Sequence, residues 1–270
     1  MCTVAIRVTP DTRWQVRLVA VRDELYSRKT LPPAAHWSEV DPMLLGPLDL
    51  QAGGTPVALH RERLSAAIVV NAPPHRAPAQ TSSGRTRGRL PLLAAAGEHI
   101  GFADLRDLAG FYLLVAVADR SPIRDKECGG PIGADIVDPT VHLLSWNGEE
   151  LTRSLVEPGD HVLTSAGLDV PGHPRSERVR AALGQVCREA PVDSPSWMAV
   201  ASAAVVEDQD LPGGRYGTVG AAAIALSSCS LHYAVSARPG GAAWAPVLAD
   251  EASASARFAA ENLGATTCQH

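Results

Sequence analysis

An α+β architecture, rich in antiparallel sheet and covered by a few helices, is the fold class this sequence predicts. Three observations carry that expectation. Short segments with period-two apolar alternation recur along the chain, turn-forming residues stand between them, and helical periodicity is confined to three stretches.

The first element is a hairpin. "CTVAIRV" and "WQVRLVAV" both alternate and are joined by Thr9-Pro10-Asp11-Thr12. A turn centred on Pro10-Asp11 sets Cys2 opposite residues 19–21, with Arg22 and Asp23 just beyond and within side-chain reach. Further strands are expected at "TPVALH", "LSAAIVVN", "GFYLLVAVAD", "TVHLLSWNG", "HVLTSA", "TVGAAAIALSS" and "LHYAVSAR". Helices are expected at "HIGFADLRDLAG", "RSERVRAALGQVCREA" and "DEASASARFAAENL", packed outside the sheets. Residues 72–89 read as an exposed Pro, Ser, Arg and Gly loop, and residues 120–139 as a second break. Neither is a domain linker, so 1–270 is read as one domain, with a C-terminal helix or tail at 246–270.

Composition narrows the function classes. Hydrophobic residues make up 46% and charged residues 20% of the 270 positions, the balance of a soluble globular protein with a full core. A net charge of -5 with scattered Lys and Arg offers no basic field, so nucleic acid is not an expected partner. The apolar runs "AAAIAL" and "FYLLVAVA" fall far below the roughly 18–20 residues that span a bilayer, so no membrane insertion is expected. No charged segment leads into an apolar one at the start; a secretory leader is not expected and the cytoplasm is. The excess of Ala, Gly, Pro and Arg suggests a GC-rich bacterial genome.

The five cysteines (Cys2, Cys128, Cys187, Cys229 and Cys268) are widely spread without a CxxC, and read as reduced thiols. The nine histidines show no metal-ligand spacing such as HExxH, so neither a metal site nor a cofactor is expected. Gly53-Gly54 serves a turn, and the tryptophans pack.

The amino terminus carries the chemistry. Methionine aminopeptidases remove Met1 when a small residue follows, and Cys qualifies. The trimmed chain would carry an α-amine of pKa about 7.7–8.0 beside a thiol of about 8.5. Such an amine can act as base for its own residue's nucleophile. Arg22 would favour the thiolate, and Asp23 could accept hydrogen bonds from the ammonium. Asn71, ending an apolar strand, could reach into a site as a polar donor.

"MCTVAIRV", "LVAVRDELYSRKTLPPAAHW", "GPLDLQAGGTPVAL", "LSAAIVVNAP" and "TRGRLPLLAAA" together resemble the NRDE family, also called the transport and Golgi organisation two family. "HVLTSAGLDVP" and "GRYGTVGAAAIAL" continue the resemblance, which spans most of residues 1–245. It implies a four-layer αββα N-terminal nucleophile hydrolase sandwich with two stacked antiparallel sheets, similar at its start to penicillin V acylase and bile salt hydrolase. By that resemblance Cys2 is the nucleophile, Arg22 and Asp23 hold and tune it, and Asn71 is an oxyanion donor. Glu24 and Ser165 are the matching substrate-binding positions. The pattern is altered at Val21 (for Asn), Pro56 (for Trp), Ser165 (for Asn) and Val219 (for Arg, with Arg215 nearby).

The expected function is therefore hydrolysis or transfer of the acyl group of a small amide through a Cys2 thioester, in a specialised biosynthetic role. The alternative is a non-catalytic protein that carries haem or an acyl lipid in the same cleft, with Cys2 or a His as haem ligand. A third reading is an inactive scaffold.

Overall fold

The computed structural model describes residues 2–73, 86–101, 105, 107–118, 139–237, 239 and 243–248. The helix expected at 250–263 and nearly all of the break at 120–139 lie outside them, as does most of the loop at 72–89. The helix expected at 99–110 is described only in part.

Two strands, β1 (Thr3–Val8) and β2 (Val16–Leu25), open the first sheet. They form the expected hairpin in a different register, with Thr3 opposite Val21 and Val8 opposite Val16. The turn is longer than a Pro-Asp centre allows. The Thr9 N–H closes it on the Gln15 carbonyl at 2.8 Å, and the Thr12 hydroxyl is positioned to donate to the Thr9 and Trp14 carbonyls at 2.9 Å each. Cys2 consequently continues the register opposite Arg22, rather than residues 19–21.

The chain then builds the second sheet as a simple meander of β3 (Thr30–Ala34), β4 (Leu44–Asp49), β5 (Val57–His60), β6 (Ser65–Asn71), β7 (Phe111–Val117), β8 (Thr140–Trp146) and β9 (Leu151–Leu155), each antiparallel to the next. It returns to the first sheet with β10 (Gly159–Thr164), β11 (Gly167–Leu168), β12 (Gln209–Leu211), β13 (Gly214–Leu226), β14 (Leu231–Ser236) and β15 (Ala245–Leu248). The first sheet runs β11-β10-β1-β2-β13-β14-β15, with β12 on β13. Local alternation located β5 to β8, β10, β13 and β14. It missed β3, β4, β9 and β15, whose proline or surface polar content conceals the period, and β11 and β12, which are only two and three residues long.

Alternation along β1 explains its burial on both faces. Val4, Ile6 and Val8 join Ile68, Leu114 and Leu143 of the second sheet in one core cluster. Ala5 faces a second cluster with helices α2 (Pro174–Leu183) and α3 (Pro195–Ala203). A third cluster sets α1 (Leu90–Ala96) on the second sheet. Helix α2 is shorter than expected. It ends at Gly184, and the Arg7 side chain receives the end of that segment: its guanidinium donates to the Leu183 and Val186 carbonyls at 2.8 Å and grips Asp160 at 2.7 and 2.8 Å. A cation at a helix C-terminus also complements the helix dipole.

One expectation fails here. Cys187 and Cys229 are disulfide-bonded, and among the described residues Cys2 is the free thiol. Cysteines far apart in sequence give no spacing signal when the fold brings thiols together.

Arg7→Ala removes a buried cation and leaves Asp160 and helix-end carbonyls without their donors. It should cost about 2–4 kcal/mol in urea unfolding. A change smaller than 1 kcal/mol, on the order of a surface substitution, would show that water replaces these bonds.

Candidate active site

Strand alternation splits the Arg-Asp-Glu cluster between two faces of β2. Arg22 and Glu24 turn toward the second sheet, and Asp23 turns toward the helices. Asp23 is buried and its oxygens accept from Thr218 Oγ1 at 2.7 Å and from Arg175 Nη1 at 2.6 Å. Arg175 Nη1 also donates to Thr3 Oγ1 at 3.0 Å, so this face of the site is tied to the residue after Cys2.

The other face is organised by a residue to which sequence reasoning assigned no role. Asp49 ends β4 with its carboxylate only 6% exposed. One oxygen accepts from Arg22 Nη2 at 2.9 Å and Arg28 Nε at 2.7 Å; the other accepts from the Gln51 and Ala52 N–H groups at 3.1 and 3.0 Å. Burial alone would raise the Asp49 carboxyl, but the Ala52 N–H and the Arg28 and Arg22 guanidinium groups hold it below the usual carboxylate range. Arg22 also donates to Thr30 Oγ1 at 2.7 Å. Glu24 lies 3.7 Å from Arg22 and 3.6 Å from Arg28.

The turn that begins at Asp49 carries Gly53 at φ 67°, a left-handed conformation that suits glycine. The next residue, Gly54, meets the backbone of Gly88. A Cβ at Gly54 would lie 2.4 Å from the Gly88 carbonyl carbon, and the Thr55 N–H donates to the Gly88 carbonyl at 2.8 Å. This close crossing docks the 3-10 turn Arg87–Arg89, capped by Thr86 Oγ1, against the second sheet. The segment expected to be part of an exposed loop thus brings Arg87, half-buried, into the site. Arg87 donates to the Gly110 carbonyl at 3.0 Å, the same oxygen that receives the Ala72 N–H. Asn71, exposed at the end of β6, arrives beside it.

Cys2, half-buried, stands where two cavities meet. A smaller one of about 350 Å³ is lined by Asn71 and by the charged Arg22, Glu24, Arg28, Asp49 and Arg87, with Asp107 also on its wall. A larger one of about 680 Å³ extends between the sheets against Val57, Ile68, Val69, Val219, Tyr233 and Val235. Cys2, Arg22, Arg28, Pro56 and Val69 border both. At the mouth of the larger cavity Arg215 pairs with Asp208, which accepts the Tyr26 hydroxyl at 2.6 Å.

The sulfur's electrostatics are mixed. Burial pushes the Cys2 thiol up, the amino-terminal ammonium pulls it down, the Asp23 charge raises it, and the Asp23 backbone N–H and Arg22 lower it; the balance is upward. Arg87 feels the thiol in turn. Burial and Arg28 lower its pKa, and Cys2 raises it.

Of the expected site residues, Cys2, Arg22, Glu24 and Asn71 border one cavity, and Asp23 lies behind them. Ser165 follows β10 and lines neither cavity. It stands two residues past Leu163 as Cys2 stands two before Val4, the paired residues of β10 and β1. Arg28, Asp49, Arg87 and Thr218 fall within the family-like stretches without an assigned role, while Arg175, at the start of an expected helix, had no spacing to mark it. Among the described residues, no group of three His, Cys, Asp or Glu side chains could hold a metal ion.

The family model described as Transport and Golgi organisation 2 matches residues 1–212, and the chain belongs to that family. No curated protein matches it.

Two outcomes follow from these electrostatics. In chain that retains Met1, iodoacetamide alkylation of Cys2 should rise with pH through a midpoint above the ordinary thiol value of about 8.5. Loss of Met1 moves the ammonium onto residue 2 itself and should lower that midpoint; mass spectrometry of both forms would show identical profiles if the ammonium did not matter. Asp49, with its depressed folded-state pKa, contributes stability above its unfolded pKa that is lost as pH falls through the folded value. Urea midpoints should therefore fall below about pH 4, and Asp49→Asn should be less stable at neutral pH with a flatter acid dependence.

Proposed function

We propose that the protein is a cysteine-type N-terminal nucleophile hydrolase or acyltransferase that cleaves the C–N bond of a small amide. One observation carries this reading: a half-buried thiol at residue 2 opens onto a cavity that also holds Asn71, Arg22 and Arg87. Two facing antiparallel sheets with helices on their outer surfaces are compatible with that fold.

Removal of Met1 frees the Cys2 α-amine. The amine takes the thiol proton, and the thiolate attacks the amide carbonyl carbon. The Asn71 side-chain amide donates to the developing oxyanion, and Arg22 offsets the charge on sulfur. Collapse breaks the C–N bond, the α-ammonium returns its proton to the leaving amine, and an acyl thioester remains on Cys2. Water, or an acceptor amine, attacks the thioester and releases the acyl group. Asp23, fixed by Arg175 and Thr218, keeps acceptor capacity for the new ammonium.

Intact-mass measurement tests the first requirement, since a retained Met1 leaves the amine capped. Incubation of the trimmed protein with activated esters should then give a single acyl adduct on Cys2. Cys2→Ala should abolish the adduct, and Asn71→Ala should slow its formation about 10²–10³-fold. Acylation elsewhere with Cys2 unmodified overturns the proposal.

A further inference from the structure

The two cavities that meet at Cys2 differ in chemistry, and a substrate spanning the sulfur must match both. We infer that the substrate is an amide joining an apolar acyl group, held in the larger cavity, to an amine that bears a carboxylate, held by Arg87 in the smaller one. This rests on the reading of Cys2 as the acylated nucleophile.

The larger cavity, at about 680 Å³, is of the size that buries most of a small organic ligand. Its walls come from the inner faces of both sheets. Pro56 and Val219, both apolar, lie on its lining. Of its charged groups, Arg22 and Arg28 stand where it meets the smaller cavity and are held by Asp49, Lys29 is exposed, and Arg215 pairs with Asp208. An apolar chain is the occupant that such walls favour, because every buried methylene contributes about 0.8 kcal/mol.

In the smaller cavity the cations are not equivalent. Arg22 and Arg28 are committed to Asp49, with Glu24 close to both. Arg87 spends one of its donors on the Gly110 carbonyl and, among the described residues, has no carboxylate partner. A guanidinium offers five donors in a planar fork, and a carboxylate is the anion that this fork binds in two-point fashion. The partner it lacks is one the substrate would supply.

The order of events fixes which half goes where. Sγ bonds to the carbonyl carbon, the C–N bond breaks, and the amine leaves with a proton. Water must then enter the space the amine has vacated, add to the thioester carbon and release the acid and the thiol. The charged cavity is the one that fills readily with water, whereas the apolar one keeps the acyl chain dry through the intermediate.

Calorimetric titration of full-length Cys2→Ala protein tests this without turnover. The probes are N-dodecanoylglycine, N-dodecanoyl ethylamine without the carboxylate, and N-acetylglycine without the chain. N-dodecanoylglycine should bind about tenfold or more tighter than either partner compound. Adding Arg87→Gln should erase the advantage over the ethylamide, and Arg87→Lys should restore part of it. Adding Val219→Trp should erase the advantage over N-acetylglycine while leaving the fold intact by circular dichroism. Equal binding of the three probes, or an advantage that survives in folded Arg87→Gln and Val219→Trp proteins, overturns the inference. Acylation of Cys2 by short activated esters with no such discrimination sinks this inference and spares the hydrolase reading. Discrimination without any acylation of the trimmed wild type overturns the hydrolase reading, and the substrate assignment with it, and leaves a two-part ligand site with no nucleophile.

Discussion

The buried carboxylate of Asp49 is the interaction on which the site depends. It draws two guanidinium groups from β2 and from the segment after it onto the end of β4, and so joins the first sheet to the second beside Cys2. Two backbone N–H groups on its other oxygen fix the turn that follows. That turn delivers Gly54 to Gly88 and thereby Arg87 to the cavity. A carboxylate so enclosed is tolerable only because every lone-pair direction meets a donor, two of them cationic. Removing one member would leave charges stranded.

The thiol occupies a seam between opposite demands. A nucleophile needs a field that favours the thiolate, whereas a cavity between two sheets excludes the water that would stabilise it. The upward shift of Cys2 expresses the second demand. Arg22, the Asp23 N–H and the amino-terminal ammonium express the first. Because the ammonium is the largest of the lowering influences, processing of the amino terminus acts directly on the chemistry of the sulfur.

The four altered family positions do not act alike. Val21 packs into the outer cluster against the helices, although the residue also borders the larger cavity. Pro56 and Val219 lie on the lining of that cavity. Ser165 lies in the turn between β10 and β11, outside both cavities. Val21, Pro56 and Val219, all apolar, line the larger cavity, on one side of Cys2 and Arg22.

Period-two alternation, turn residues and an ordered set of motifs determined the sheet-rich class, most strands and the family. The position of Cys2 and the family resemblance also singled out Cys2, Arg22, Asp23, Glu24, Asn71 and Ser165, because motifs record residue types but not the contacts that place them. Only the tertiary structure decided how these residues divide. The longer turn at Thr9–Gln15 shifted the hairpin register, and alternation then sent Arg22 and Asp23 to opposite faces. Asp49, Arg87 and Arg175 join the site through contacts between segments 21 to 152 residues apart. Such pairings arise from packing two sheets face to face, and no local period of the chain records which distant side chains that packing will bring into contact.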